Sequence, residues 1–144
     1  MTNENAIRPV SGGSTLKSIL AVFVGLLVVL ILSVGTDVIL HATGIYPPWF
    51  QPMAEGLWIL ALAYRIVYGI LCGYLTAWMA PNRRVAHAVI LGLIGELLSI
   101  IGVAMNWNKG PEFGPKWFSI ALVLTALPCS WLGGVLRARK TGAA

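Results

Sequence analysis

The sequence predicts an all-α integral membrane protein, a bundle of four transmembrane helices, and three observations predict it. Only 10% of the 144 residues are charged while 58% are hydrophobic, against about 25% charged in a typical soluble domain. Apolar runs of membrane-spanning length recur, each separated from the next by a proline-bearing break. No stretch alternates apolar and polar residues over the about 10 positions that a barrel strand requires. A water-soluble domain is excluded because too few charges remain to cover its surface. Disorder is excluded because chains that fail to collapse are polar and charged.

A span takes about 20 mostly apolar residues at about 1.5 Å rise each. Residues 18–36 carry no charge, and apolar character continues to Leu40. Residues 57–79 are interrupted only by Arg65, residues 85–105 only by His87 and Glu96, and residues 117–136 by no charge. The breaks are Pro47, Pro48 and Pro52, then Ala80-Pro81-Asn82, then the Gly110-Pro111 and Gly114-Pro115 turns. Helices are expected over 16–42, 56–79, 85–106 and 116–137, making one transmembrane domain over 16–137. A flexible tail over 1–15 and a basic tail over 138–144 flank it. The first helix is too long for a signal-peptide core of about 7–15 residues and lacks a small-residue cleavage site, so it reads as retained. No internal repeat and no low-complexity tract is present.

Basic residues set the orientation. Arg8, Lys17, Arg83, Arg84, Arg137, Arg139 and Lys140 fall on one side, and Lys109 and Lys116 on the other. The positive-inside rule then puts both termini in the cytoplasm. The net charge of +5 is accounted for by basic ends beside anionic headgroups, so the partner is the bilayer and no nucleic acid is called for. Cys72 and Cys129 lie in apolar runs without a CxxC spacing and read as small buried hydrophobes.

Charges inside a bilayer core cost about 2.5–3.5 kcal/mol each on insertion scales, so they turn toward protein or water. Asp37, Arg65 and Glu96 are the three such groups. Helical rise puts Glu96 near the midplane, Arg65 roughly 4–5 Å and Asp37 roughly 12 Å toward the outer side. These heights would let the long Arg65 side chain bridge two carboxylates, while the sequence leaves their lateral proximity open. Ser33, Asp37 and His41 share a face by their spacing of four, and Arg65 with Tyr68 on the second helix and Glu96 with Ser99 on the third share one by their spacing of three. Converging, these residues form a polar seam that opens outward. The seam reads either as a relay or binding site for a proton or small polar solute, or as a buried ion pair that only holds helices in register.

Small residues point to close helix packing: Gly69 and Gly73 form a GxxxG, and Gly95 with Ser99 the looser form. Pro128 should bend the fourth helix by freeing the carbonyl of Leu124, with Thr125 or Ser130 available to satisfy it. The two outer connections combine prolines with aromatics, which reads as an interfacial belt or as a lid over the seam. No metal site, cofactor motif or nucleophile–base pair is found, so no metal, no cofactor and no enzyme activity is expected. His41 and His87 lie at opposite ends of their spans, and HExxH, Walker A and GxGxxG patterns are absent.

Gly35-Thr36-Asp37, Pro47-Pro48-Trp49, Pro111 to Gly114-Pro115 with Trp117, and Leu127-Pro128 to Arg137 together resemble a group of uncharacterised small four-helix bacterial inner-membrane proteins. The resemblance spans most of 16–137. It implies the four-helix architecture and a bacterial inner-membrane address, and carries no catalytic residue. Small multidrug-resistance transporters have similar size, but their membrane glutamate lies in the first helix, whereas the carboxylates here are Asp37 and Glu96. Two functions are therefore expected: a small transporter or permeation unit using the seam, working as a homo-oligomer, or a non-catalytic accessory subunit or scaffold of a larger membrane complex.

Overall fold

A computed structural model describes residues 12–142. Four helices, α1 (Gly12–Ala42), α2 (Glu55–Met79), α3 (Arg84–Asn106) and α4 (Lys116–Lys140), account for most of them. A short 3-10 turn, Pro111–Phe113, interrupts the last connection, and no strand occurs among the described residues. All four helices are long and apolar enough to cross a membrane. The chain runs up and down, so the α1–α2 and α3–α4 connections share one end, the two-loop end. The α2–α3 turn, the start of α1 and the close of α4 share the other.

The helix bounds differ from the expected ones mainly at the outer ends. Helix α1 begins at Gly12 and α4 continues to Lys140, so residues 12–15 and Ala138–Lys140, expected as tails, are helical. Arg137, Arg139 and Lys140 fill the last turn of α4, where cations favour the negative end of the helix dipole. The remainder of the expected N-terminal tail, with Arg8, lies outside the described residues. At the α2–α3 turn, Ala80 precedes Pro81 in an extended conformation (ψ 131°). The proline Cδ disfavours the helical region there. At the two-loop end Gly44 takes φ 74°, open to glycine without a Cβ clash, and the Tyr46 N–H reaches back to the Leu40 carbonyl at 2.9 Å.

Helix α4 is the centre of the packing and lies against both α2 and α3, while α1 leans on α2 and, less extensively, on α3. The closest approach is between α2 and α4. A Cβ on Gly73 would overlap the Ser130 carbonyl, and one on Gly133 would overlap the Ile70 carbonyl. Gly69 faces the Cys129 Cβ in the same seam. For helices apolar enough to span a membrane, lipid tails would be as apolar as the helices, and tight backbone packing rather than a hydrophobic drive would bring them together. On the α3 side Gly92 meets Leu127 and Gly134 meets Ala88, and the Ser130 hydroxyl donates to the Ala88 carbonyl at 2.6 Å.

The GxxxG of Gly69 and Gly73 thus works inside one chain, as a contact with α4. Gly95 does not mark a tight contact: a Cβ there would stand 4.0 Å from the Ala126 Cβ, an ordinary separation. Pro128 sits inside a continuous α4, and neither expected hydroxyl serves the Leu124 carbonyl. Thr125 Oγ1 donates to Ala121 at 2.7 Å, and Ser130 crosses to α3. Helix α1 docks through Gly25, against which the buried Thr76 hydroxyl rests. That hydroxyl has no hydrogen-bond partner among the described residues.

Overpacking a tight seam typically costs about 1–3 kcal/mol. Gly73→Ala and Gly133→Ala are expected to lower thermal stability in detergent by at least that much, because each new methyl meets backbone. Gly102→Ala, where a Cβ meets nothing within 4 Å, should leave the melting temperature unchanged or raise it slightly.

Candidate functional site

The site grows from Arg65, ten residues or about 15 Å into α2 from its start at Glu55. One guanidinium nitrogen, Nη2, donates to Asp37 Oδ2 of α1 at 2.6 Å. The other, Nη1, donates to the Ala61 carbonyl at 3.1 Å and to the Tyr64 hydroxyl at 2.8 Å. Tyr64 in turn donates to Asp37 Oδ1. Both carboxylate oxygens are therefore engaged by α2. The guanidinium also lies 5.0 Å from the Tyr64 ring centroid and 5.8 Å from that of Phe118, within cation–π range. One turn away, Thr36 and Tyr68 hydroxyls bond at 2.8 Å, a second polar tie between α1 and α2.

Beneath the loops a small buried core supports this cluster. Tyr46, Ala61 and Phe118 are its buried members, with Leu40, Met53, Trp58 and Leu62 packed around them. Tyr46 enters from the α1–α2 connection and donates its hydroxyl to the Leu57 carbonyl at 3.3 Å. Burial pushes its phenol above the ordinary value near 10. His41 stacks on Trp49 with ring centroids 3.7 Å apart, and its Nδ1 lies 2.6 Å from the Pro47 carbonyl. Phe50 and Phe113 bring the two connections together, their centroids 6.4 Å apart.

Two cavities meet at Arg65. The first, about 270 Å³, is a vestibule at the two-loop end whose walls include Asp37, His41, Trp49, Phe50, Glu112 and Phe113. The second, about 290 Å³, is a cleft between all four helices. Its walls are mainly apolar, from residues such as Leu26, Leu30, Leu98 and Leu122, with Ser33, Ser99, Thr125 and both cysteines among them. Arg65 lines both cavities. Both connections thus contribute walls to the vestibule.

The expected seam is brought together only in part. Asp37 and Arg65 form the ion pair, His41 lines the vestibule, and Ser33 and Ser99 line the cleft. Tyr68 bonds to Thr36. Glu96 does not join: among the described residues it makes no ion pair, and it lines neither cavity. The inward face of α3 is set by Ala88, Leu91, Gly92, Gly95 and Ser99, and Glu96 falls roughly a quarter-turn from the middle of that face. Tyr64, Tyr46, Phe118, Glu112 and Thr36 were missed. Tyr68 was singled out by its spacing of three from Arg65, a test that passes over the adjacent Tyr64, although Tyr64 and Tyr68 are four apart and share a face. Among the described residues no group of three metal-ligating side chains occurs.

No family model, curated protein or solved structure matches the chain. Its class is accordingly stated by geometry alone: an all-helical protein with four helices able to span a membrane and a charged cluster between two cavities.

The side chains of Arg65 and Asp37 keep 25% and 21% of their surface exposed, so the cost of breaking their pair lies toward the lower end of the about 3–5 kcal/mol seen for buried pairs. Arg65→Leu should lower stability by that amount, and Asp37→Leu combined with Arg65→Leu should recover much of it. Glu96→Gln should stay within about 0.5 kcal/mol of wild type, as for a residue outside any network. Thermal unfolding of the four proteins in one detergent measures all three effects.

Proposed function

We propose that the chain is a small membrane transporter or permeation unit in which the Asp37–Arg65–Tyr64 cluster is the partition between an outer vestibule and a cleft within the membrane. The observation that carries this reading is that one side chain, Arg65, lines both spaces while an ion pair holds it in place. A charge pair reached from the vestibule can exchange its partner for water or solute, whereas a strut sealed in hydrocarbon cannot. The vestibule faces the cell exterior in this reading, with both termini cytoplasmic, as the basic residues argue. Since one chain of this size encloses no path across the bilayer, the working unit is read as an oligomer of identical chains.

Without a continuous Asp37–Arg65–Glu96 seam, a side-chain proton relay loses its third member. Passage would instead depend on transient separation of Arg65 from Asp37. Cys72 and Cys129 line the cleft beyond the partition and serve as native reporters. A membrane-impermeant methanethiosulfonate reagent, added to proteoliposomes from the vestibule side, should leave both thiols unmodified in wild type. In Arg65→Ala and in Asp37→Asn, it should label them. Arg65→Lys, which keeps the charge, should label slowly. Equal labelling of wild type and both charge variants, or of none, sinks the partition. Melting curves recorded in parallel separate opening from unfolding.

A further inference from the structure

Deepening that reading, and resting on it for the path the compound would take, we propose that the intramembrane cleft binds the head of a flat, uncharged, lipid-soluble carbonyl compound, the chemical class of membrane quinones. Depth is the first argument. Arg65 lies about 15 Å along a helix of 25 residues, close to its middle, where no phospholipid headgroup sits. A ligand reaching this level from the bilayer has no charged headgroup of its own to desolvate.

Charge is the second. Asp37 already neutralises Arg65, so the cleft offers hydrogen-bond donors without an unbalanced positive charge. Three N–H groups of Arg65 are engaged by Asp37, Ala61 and Tyr64. Its Nε–H and the second Nη2 hydrogen have no acceptor among the described residues. The Ser33 and Ser99 hydroxyls line the same cleft and likewise have no partner there. Donors left open in a mainly apolar wall fit a carbonyl oxygen, which can accept a bond from them.

Shape is the third. Gly95 lines the cleft, and a Cβ there would come no nearer than 4.0 Å to Ala126, so this stretch of α3 backbone lies open to a planar ring. At about 290 Å³ the space equals roughly ten waters at ~30 Å³ each, enough for a ring and a short length of tail. A longer tail can leave past Leu30 and Leu98, both of which remain about half exposed, at 48% and 46%.

The test uses a fully substituted benzoquinone with a ten-carbon tail, which has no free ring position for thiol addition. Purified protein in detergent is incubated with it and passed through gel filtration, and the quinone retained is read by absorbance. About one equivalent per chain is expected, with a rise in melting temperature that grows with probe concentration. Gly95→Leu fills the cleft where a Cβ meets only Ala126 at 4.0 Å; it should retain only the micelle background at an unaltered unliganded melting temperature. Ser33→Ala with Ser99→Ala should weaken binding about tenfold, the equivalent of one net hydrogen bond. Should Gly95→Leu not fold, the serine variant decides alone. Decane matching the quinone overturns the carbonyl, methyl decanoate matching it overturns the ring, and decanoate exceeding it overturns the neutral head. Retention unaffected by the variants overturns the site. Binding needs no opening of the partition, so a protein that binds the quinone yet never admits the thiol reagent refutes permeation alone, and the converse refutes the ligand alone.

Discussion

A guanidinium held in apolar surroundings is the constraint on which the rest of the structure depends. Leaving Arg65 unpaired among the helices would cost at least several kcal/mol, more than most single contacts in the bundle return. The chain meets that cost with Asp37 from α1, the Ala61 carbonyl one turn back on α2, and the Tyr64 hydroxyl beside it. Because the carboxylate comes from another helix, satisfying the charge also fixes where α1 stands. The Thr36–Tyr68 bond and the Gly25–Thr76 contact extend the same attachment toward the opposite end.

That mode of attachment explains why a cleft exists. Helices α2, α3 and α4 close on one another through glycines that bring backbones together at Gly73, Gly92, Gly133 and Gly134. Helix α1 is instead tethered by side chains, chiefly to α2. Between the close contact at Gly25 and the side-chain tether at Asp37, the α1 residues Leu26, Val29, Leu30 and Ser33 line the cleft left against the other three helices. Polar ties on one side and small-residue packing on the other are two different solutions to association in lipid. The cavity lies where they adjoin.

This division also decides what the sequence could reveal. Four helices long and apolar enough to span a membrane were legible because a chain suited to hydrocarbon must satisfy its backbone within long apolar helices and break them with turn chemistry. The ion pair was half legible: helical rise gave the heights of Asp37 and Arg65, and those heights are bridged. Glu96 satisfied the same height criterion and failed, because depth says nothing about azimuth once Gly92 and Gly95 have claimed the inward face of α3. Tyr46 and Phe118 were missed for a related reason, since a loop residue and a helix-start residue become neighbours only after the connections fold over α2. Gly25, Gly133 and Gly134 gave no signal apart from their size, which many lipid-facing glycines share.

The pair's energy bears on whether a strut and a gate are opposed at all. A fully buried pair worth about 3–5 kcal/mol would leave the separated state at well under 1%. With about a fifth to a quarter of each side chain exposed, water from the vestibule can solvate the separated charges, and the gap narrows. A gap of a few kcal/mol populates an alternative state at about 0.1–10%, which under the proposed permeation reading would suffice for passage yet be too little to soften the fold. The exposure that makes Asp37–Arg65 a weaker strut is thus what the proposed partition requires. In that reading one cluster serves both to hold α1 in place and to open.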